Sequence, residues 1–239
     1  MNTIKIQHGN TRMVAHRGVS KLEKENTCAA FVAAGNRSYF GIETDIHPTL
    51  DGKIVCIHDS NTQRVAQDSV DVEQTAFDAL RAIVLNDIDH QKGRADLRIP
   101  TLQEYVQICK KYEKVGVCEI KGVFSRENLQ KAIDIIRAED YLHGIIFIAF
   151  DMENLINMRE LLPNQPCQFL TGEVDAALIE TLKKYRLDLD IHFKGLTEEK
   201  VKMCHDNGIV VNAWTVDDPR DAEELIGWGV DYITSNILE

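Results

Sequence analysis

Short apolar segments alternate with amphipathic helical patterns along most of this chain, and that rhythm constrains the fold more than any other feature. Period-2 and short apolar runs mark nine strand candidates, at about 13–17, 40–46, 54–58, 115–120, 145–150, 167–171, 189–193, 209–215 and 231–235. Helical patterns occupy most of the intervals, at 128–139, 152–161, 176–185, 198–206 and 219–228. Strands joined through helices are parallel, because the crossover returns the chain to the same end of the sheet. The 239 residues suit a closed ring of eight such units, which typically needs about 250. Nine strands are one too many. Asp51-Gly52 is a two-residue hairpin signal, so 54–58 turns back antiparallel on its predecessor and eight parallel strands remain. The expected fold is therefore α/β, a (β/α)8 TIM barrel formed by one domain over 1–239. A small insertion follows the second strand, at about 47–100, and is expected to lie over the barrel mouth.

Local signals support these elements. Asn207-Gly208 closes the helix that starts after Thr197, with Glu198 and Glu199 in its first turn. Pro219 opens the last helix, with Asp218 as its N-cap. The insertion holds the hairpin, one amphipathic helix near 75–85 and a polar run over 86–98.

The chemistry-bearing residues sit where such a barrel needs them. Glu43 and Asp45 are two apart on a strand and so share a face. Folding the chain back about Leu50-Asp51 sets His58 opposite Glu43. Two carboxylates and an imidazole at one spot make a hard-cation site with an acid/base group beside it. Other strands end in polar groups as well: His16-Arg17-Gly18 after 13–15, Glu119 and Lys121 after 115–118, and Trp214-Thr215 after 209–213. In a barrel, all these C-terminal ends open onto one face.

In order along the chain, His16-Arg17-Gly18, Glu25-Asn26-Thr27, Glu43-x-Asp45, Thr49-x-Asp51-Gly52, His58-Asp59, Glu119-x-Lys121 and Trp214-Thr215-Val216 resemble the signatures of the glycerophosphodiester phosphodiesterase family. The resemblance runs from about residue 13 to the end. Three positions depart from the family pattern: Lys24 replaces proline, Asp217 stands where Asn is frequent, and Ser235-Asn236 follows Thr234 where Thr-Asp is usual. The resemblance implies metal-dependent hydrolysis of a small glycerophosphodiester to glycerol 3-phosphate and an alcohol. His16 and His58 would be the acid/base pair, in either order. Arg17, Lys121 and Trp214 would bind substrate, and Glu43, Asp45 and Glu119 would hold one Mg²⁺ or Ca²⁺. Three crowded carboxylates repel unless a cation neutralises them, and an all-oxygen set disfavours zinc. Glu25 and Asn26 would position the loop carrying Arg17. Phe150 fits pocket wall and core equally, whereas His192 is expected to pack or to line the mouth. His8, His47, His90, His143 and His205 read as surface or loop residues.

Bulk properties narrow the alternatives. A net charge of −11 disfavours nucleic acid and anionic lipid surfaces, so positive charge must be local to the pocket. That weighs against a phospholipase C- or D-like enzyme acting on a phospholipid. A catalytically silent binding module would have lost a histidine or a metal carboxylate, and none is lost. No run approaches the ~20 apolar residues of a membrane span, and the first dozen residues lack a secretory pattern. Six scattered cysteines without a Cys-x-x-Cys pair suit reduced thiols and a cytoplasmic location.

Overall fold

The computed structural model describes residues 2–91 and 93–239. Met1 and Lys92 lie outside the described residues, the latter within the polar run expected at 86–98. In chain order the strands are β1 (Arg12–Ala15), β2 (Gly41–Pro48), β3 (Ile54–Cys56), β4 (Val115–Ile120), β5 (Ile145–Ala149), β6 (Cys167–Thr171), β7 (Asp188–His192), β8 (Val211–Trp214) and β9 (Tyr232–Ser235). The helices are α1 (Cys28–Gly35), α2 (Phe77–Ala82), α3 (Leu102–Lys111), α4 (Arg126–Ala138), α5 (Met152–Leu161), α6 (Ala176–Tyr185), α7 (Glu198–Asp206) and α8 (Pro219–Trp228). Neighbouring strands pair in the order β1-β9-β8-β7-β6-β5-β4-β2, and a parallel β1–β2 pairing closes the ring. β3 lies outside it, antiparallel on β2. The architecture is the expected (β/α)8 TIM barrel with an insertion after the second strand.

Two apolar layers hold the ring. Between strands and helices, Phe31, Leu102, Leu129, Leu155, Leu182, Val201 and Leu225 belong to one large buried cluster. Inside the ring a smaller cluster of Val14, Val117, Ile146, Ile148 and Leu170 fills the lumen. The helices end where the sequence directs. Thr101 and Glu104 form a reciprocal capping box on α3. Asp218 caps α8, which Pro219 starts and the left-handed Gly229 stops.

The hairpin forms, in a register one residue away from the expected one. Ile46 pairs with Cys56 and Pro48 with Ile54, which aligns His58 with Thr44 rather than Glu43. Leu50, Asp51 and Gly52 form a three-residue loop, because Gly52 takes φ +75° and adds a position to the turn. β2 runs to Pro48, so the insertion starts two residues later than expected. It has its own buried cluster, including Val55, Val65, Val72, Leu80, Leu97 and Ile99. Arg81 ties it to the barrel through a two-pronged pair with Glu104 at 2.6 and 2.9 Å.

Gly18 explains the end of His-Arg-Gly. Its φ is +77°, and a Cβ there would lie 2.6 Å from Ala30 of α1. Gly122 is also left-handed, at φ +63°, with no heavy atom within 4 Å. Gly18→Ala is therefore expected to destabilise by more than the roughly 1 kcal/mol of left-handed backbone alone, and Gly122→Ala by about that amount. Thermal denaturation of both variants checks this; equal losses would make the Ala30 contact irrelevant.

Candidate active site

Glu43, Asp45 and Glu119 come together because β2 and β4 are paired neighbours, with Asp45 level with Glu119. All three are buried, and each offers an oxygen within 4.8 Å of the others. Such a cluster needs compensating charge, and two side chains supply it. Lys121 Nζ lies 2.7 Å from Glu119 Oε1 and 3.5 Å from Asp45 Oδ1. Arg17 Nε lies 3.3 Å from Asp45 Oδ2, at an angle that leaves it without a hydrogen bond. Burial raises the Asp45 carboxyl, but Arg17, Lys121 and His58 together hold it below the usual range. Glu43 moves the other way, well up, through burial and the charges of Asp45 and Glu119. Glu119 is pushed up to about 7 by burial and Asp45, against the pull of Lys121.

The loop after β1 is shaped around this cluster. Arg17 takes φ 54° and Asn26 φ 51°, both in the left-handed region. The Arg17 backbone N–H then donates to Glu43 Oε2 at 2.7 Å. Asn26 donates to Asp45 Oδ2 at 2.7 Å and accepts from Thr44 Oγ1 at 2.7 Å. Glu25 accepts from Arg17 Nη1 at 3.0 Å. The expectation that Glu25 and Asn26 position this loop agrees with these contacts.

Each histidine has one nitrogen tied down. His16 Nδ1 is 2.7 Å from Asn236 Oδ1. Asn236 is itself oriented, because its Nδ2 and backbone N–H both donate to Asp217, each at 2.8 Å. Its oxygen must therefore face His16 and accept, so Nδ1 carries the proton and Nε2 keeps a lone pair. That Nε2 lies 4.0 Å from Glu43 Oε2. Burial and Arg17 pull His16 down to about 4. The departures at 217 and 236 thus fall together: an acid at one position meets an amide at the other. His58 Nδ1 is 2.5 Å from Asp59 Oδ1. Burial lowers His58, against the charge of Asp45 and the Asp59 hydrogen bond.

One cavity at the C-terminal ends of the strands is lined by His16, Arg17, Glu43, His58, Glu119, Lys121 and Trp214, with Phe150, Ile148, Leu170 and Asp190. Asp45 lies directly behind Arg17 and Lys121. The one-residue shift in the hairpin thus leaves His58 at the site. Phe150 is wall rather than core, half exposed and edge-on to Trp214 with ring centroids 5.6 Å apart. His192 packs edge-on against Trp214 at 5.2 Å.

Three contributors escaped sequence reasoning. His47 is buried rather than a surface residue; it contacts Glu73 at 3.0 Å and the His58 carbonyl at 3.2 Å. Arg64, in the insertion, donates twice to Glu25 at 2.7 Å and once to Asp59 at 2.6 Å. Against burial, its hydrogen bonds and the charge of Arg17 bring Glu25 down to about 2. Asp190 is the third. No local motif announces Arg64, since its partner Glu25 is distant in sequence; only Asp59, an acid beside His58 with no assigned role, hinted that a base was needed.

The cavity pairs acid/base groups with two basic side chains at the mouth of a parallel barrel, an arrangement that suits hydrolysis of a phosphoric diester. The model of the glycerophosphoryl diester phosphodiesterase family matches residues 16–238, and the chain belongs to that family. It is 29% identical over 232 residues to the glycerophosphodiester phosphodiesterase of Caldanaerobacter subterraneus subsp. tengcongensis, covering 95% of this chain and 94% of that protein. A solved glycerophosphodiester phosphodiesterase of Parabacteroides distasonis shares 27% identity and a TM-score of 0.81, over 95% of this chain and 93% of that one. In fold alone the chain also matches a phosphodiesterase of Oleispira antarctica solved with the product sn-glycerol-3-phosphate. There the TM-score is 0.88 at 23% identity, over 95% of this chain and 93% of that one. Among the described residues no helix is long and apolar enough to cross a membrane.

The electrostatics give a stability test. Glu119 is held protonated in the metal-free fold up to about 7, whereas an unfolded glutamate releases its proton near 4.5. The unfolded chain therefore loses that proton first, and this group costs stability progressively as pH rises between the two values. In chelator, Glu119→Gln should gain on wild type in melting temperature from pH 4.5 to pH 7, and added Mg²⁺ or Ca²⁺ should stabilise wild type preferentially. A pH-independent difference between the two proteins would contradict the assignment.

Proposed function

We propose that the protein hydrolyses glycerophosphodiesters to glycerol 3-phosphate and an alcohol. His16 and His58 act as the acid/base pair, and one divalent cation, Mg²⁺ or Ca²⁺, is held by Glu43, Asp45 and Glu119. The convergence of two oriented imidazoles, two basic side chains and three carboxylates on one cavity carries this reading. The donor set fits a hard cation: all three ligands offer oxygen, and the buried Asp45 Oδ1 has no hydrogen-bond partner. A cation held there would neutralise the carboxylates and supply positive charge to the site, leaving Lys121 to hold the phosphate.

His16 is assigned the base role because it is free of a proton at Nε2. A neutral amide holds its Nδ1 proton, and a value of about 4 keeps the Nε2 lone pair available through the neutral range. It takes the proton of the attacking group, either water directly or the 2-hydroxyl of the substrate's own glycerol, in which case water must then open the cyclic phosphate to give glycerol 3-phosphate. His58 is assigned the acid role because the Asp59 carboxylate on its Nδ1 and the charge of Asp45 favour the imidazolium, against the burial that lowers it. It delivers that proton to the leaving alkoxide. Arg17 and Lys121 bind the phosphoryl oxygens as negative charge grows on them. Their position offsets, within the pocket, an overall net charge of −11. Trp214 and Phe150 form the flat wall against which the glycerol lies. All six cysteines are free thiols, which suits a reducing, cytoplasmic compartment.

Purified protein incubated with glycerophosphocholine, glycerophosphoethanolamine and glycerophosphoglycerol should release glycerol 3-phosphate. Chelator should abolish the release, and Mg²⁺ or Ca²⁺ should restore it better than Zn²⁺. His16→Ala and His58→Ala should each lower kcat by about 10²–10⁴-fold with unchanged melting temperature, while His192→Ala stays within several-fold. Full activity in chelator removes the cation from the reading; a His192 effect as large as that of His16 breaks the assigned pair.

A further inference from the structure

Two residues of the cavity wall carry a buried polar atom that has no hydrogen-bond partner and no part in the reaction described above. Asp190 on β7 is 2% exposed and lines the cavity. Its Oδ1 is fully buried, without a hydrogen bond. Its cavity-wall neighbours Ile148 and Leu170 are apolar. Its register partner Asn212 is committed elsewhere, to Gln168 at 3.2 Å and Thr234 at 3.1 Å. Trp214, on the adjacent strand β8, also lines the cavity, and its indole Nε1 is likewise buried and unpartnered. Leaving such groups unpaired is costly, and native interiors rarely do so. The indole N–H only donates, whereas a carboxyl accepts in either protonation state. Burial and the charge of Glu119 push the Asp190 carboxyl well up, so a ligand group that serves both must accept from the indole and either donate to or accept from the carboxyl, which an alcohol hydroxyl does in either protonation state. An ammonium has no lone pair for the indole, and a phosphate group is drawn to the other wall of the cavity by Arg17 and Lys121.

The charged end of the cavity, with His16, Arg17, His58 and Lys121, belongs to β1, β4 and the hairpin; Asp190 and Trp214 belong to β7 and β8. A diester with its phosphoryl group at the first wall presents its polyol to the second. We propose that Asp190 and the Trp214 indole N–H together bind the free terminal hydroxyl of the substrate's glycerol moiety and so select deacylated diesters. This rests on the proposed glycerophosphodiester activity and names the determinant of its specificity. An acyl ester at that hydroxyl would remove the proton that Asp190 accepts and press an alkyl chain on Ile148 and Leu170. Such a site rejects an analogue that leaves its polar groups unpaired.

The test compares glycerophosphocholine with its analogue built on propane-1,2-diol, which lacks only the terminal hydroxyl, on wild type, Asp190→Ala and Asp190→Asn. Wild type should prefer the hydroxyl-bearing substrate by about 10- to 100-fold in kcat/KM, the effect of leaving buried partners unpaired. Asp190→Ala should lose a similar factor on glycerophosphocholine and hardly distinguish the two substrates. Asp190→Asn, which keeps shape and an acceptor, should fall between; its melting temperature and residual rate exclude simple unfolding. Undiminished discrimination in Asp190→Ala overturns the proposal. So does a loss in Asp190→Asn confined to glycerophosphoethanolamine, which would mean that Asp190 reads an ammonium in the leaving alcohol. A wild type inactive on every diester would overturn the functional reading itself, a distinct outcome.

Discussion

Everything at the mouth of this barrel is arranged around the mutual repulsion of Glu43, Asp45 and Glu119. Three carboxylates share a buried space in which each oxygen set lies within 4.8 Å of the others. Water cannot screen them there, so protein charges must. Lys121 and Arg17 are drawn inward to do so, and the left-handed turn at Arg17 directs its backbone N–H at Glu43. Gly18 then has to be glycine, since the same turn presses the chain onto α1. The compensation is partial. Glu43 and Glu119 remain well above ordinary carboxylates, and a divalent cation relieves both at once.

From this cluster an ionic chain extends through the insertion. Arg17 pairs with Glu25, Glu25 with Arg64, Arg64 with Asp59, and Asp59 with His58. It links the loop after β1, which carries His16, to the segment after β3, which carries His58. Arg64 and Asp59 are partly exposed, and such pairs individually contribute little. Their effect is geometric: they fix which nitrogen of His58 faces the cavity. The insertion can anchor Arg64 because it has an apolar cluster of its own.

Much of this was legible in the sequence, because strand–helix alternation and residue types at strand ends are local signals. The segments at 152–161, 176–185, 198–206 and 219–228 coincide with observed helices. His16, Arg17, Glu43, His58, Glu119, Lys121 and Trp214 do line one cavity, with Asp45 in the acidic cluster behind it. What escaped depended on non-local geometry. The hairpin register turned on a single left-handed glycine, Gly52, which lengthened the loop by one residue. His47 looked like a loop histidine because nothing near it in sequence announces its contact with the His58 carbonyl. The Asp217–Asn236 exchange read as two unrelated departures; only their hydrogen bonds reveal one unit that sets the His16 tautomer. Asp190 carried no motif, and its significance lies in partners it lacks.

The most direct test of the central claim is calorimetric titration of the metal-free protein with Mg²⁺ or Ca²⁺ near pH 6.5, repeated in buffers of different ionisation enthalpy. Because Glu119 is pushed up to about 7 in the metal-free fold, binding has to expel its proton. One ion should bind per chain with net proton release, both lost in Glu119→Gln. Binding without proton release, or no binding at all, would contradict the view that this carboxylate cluster is built for a cation.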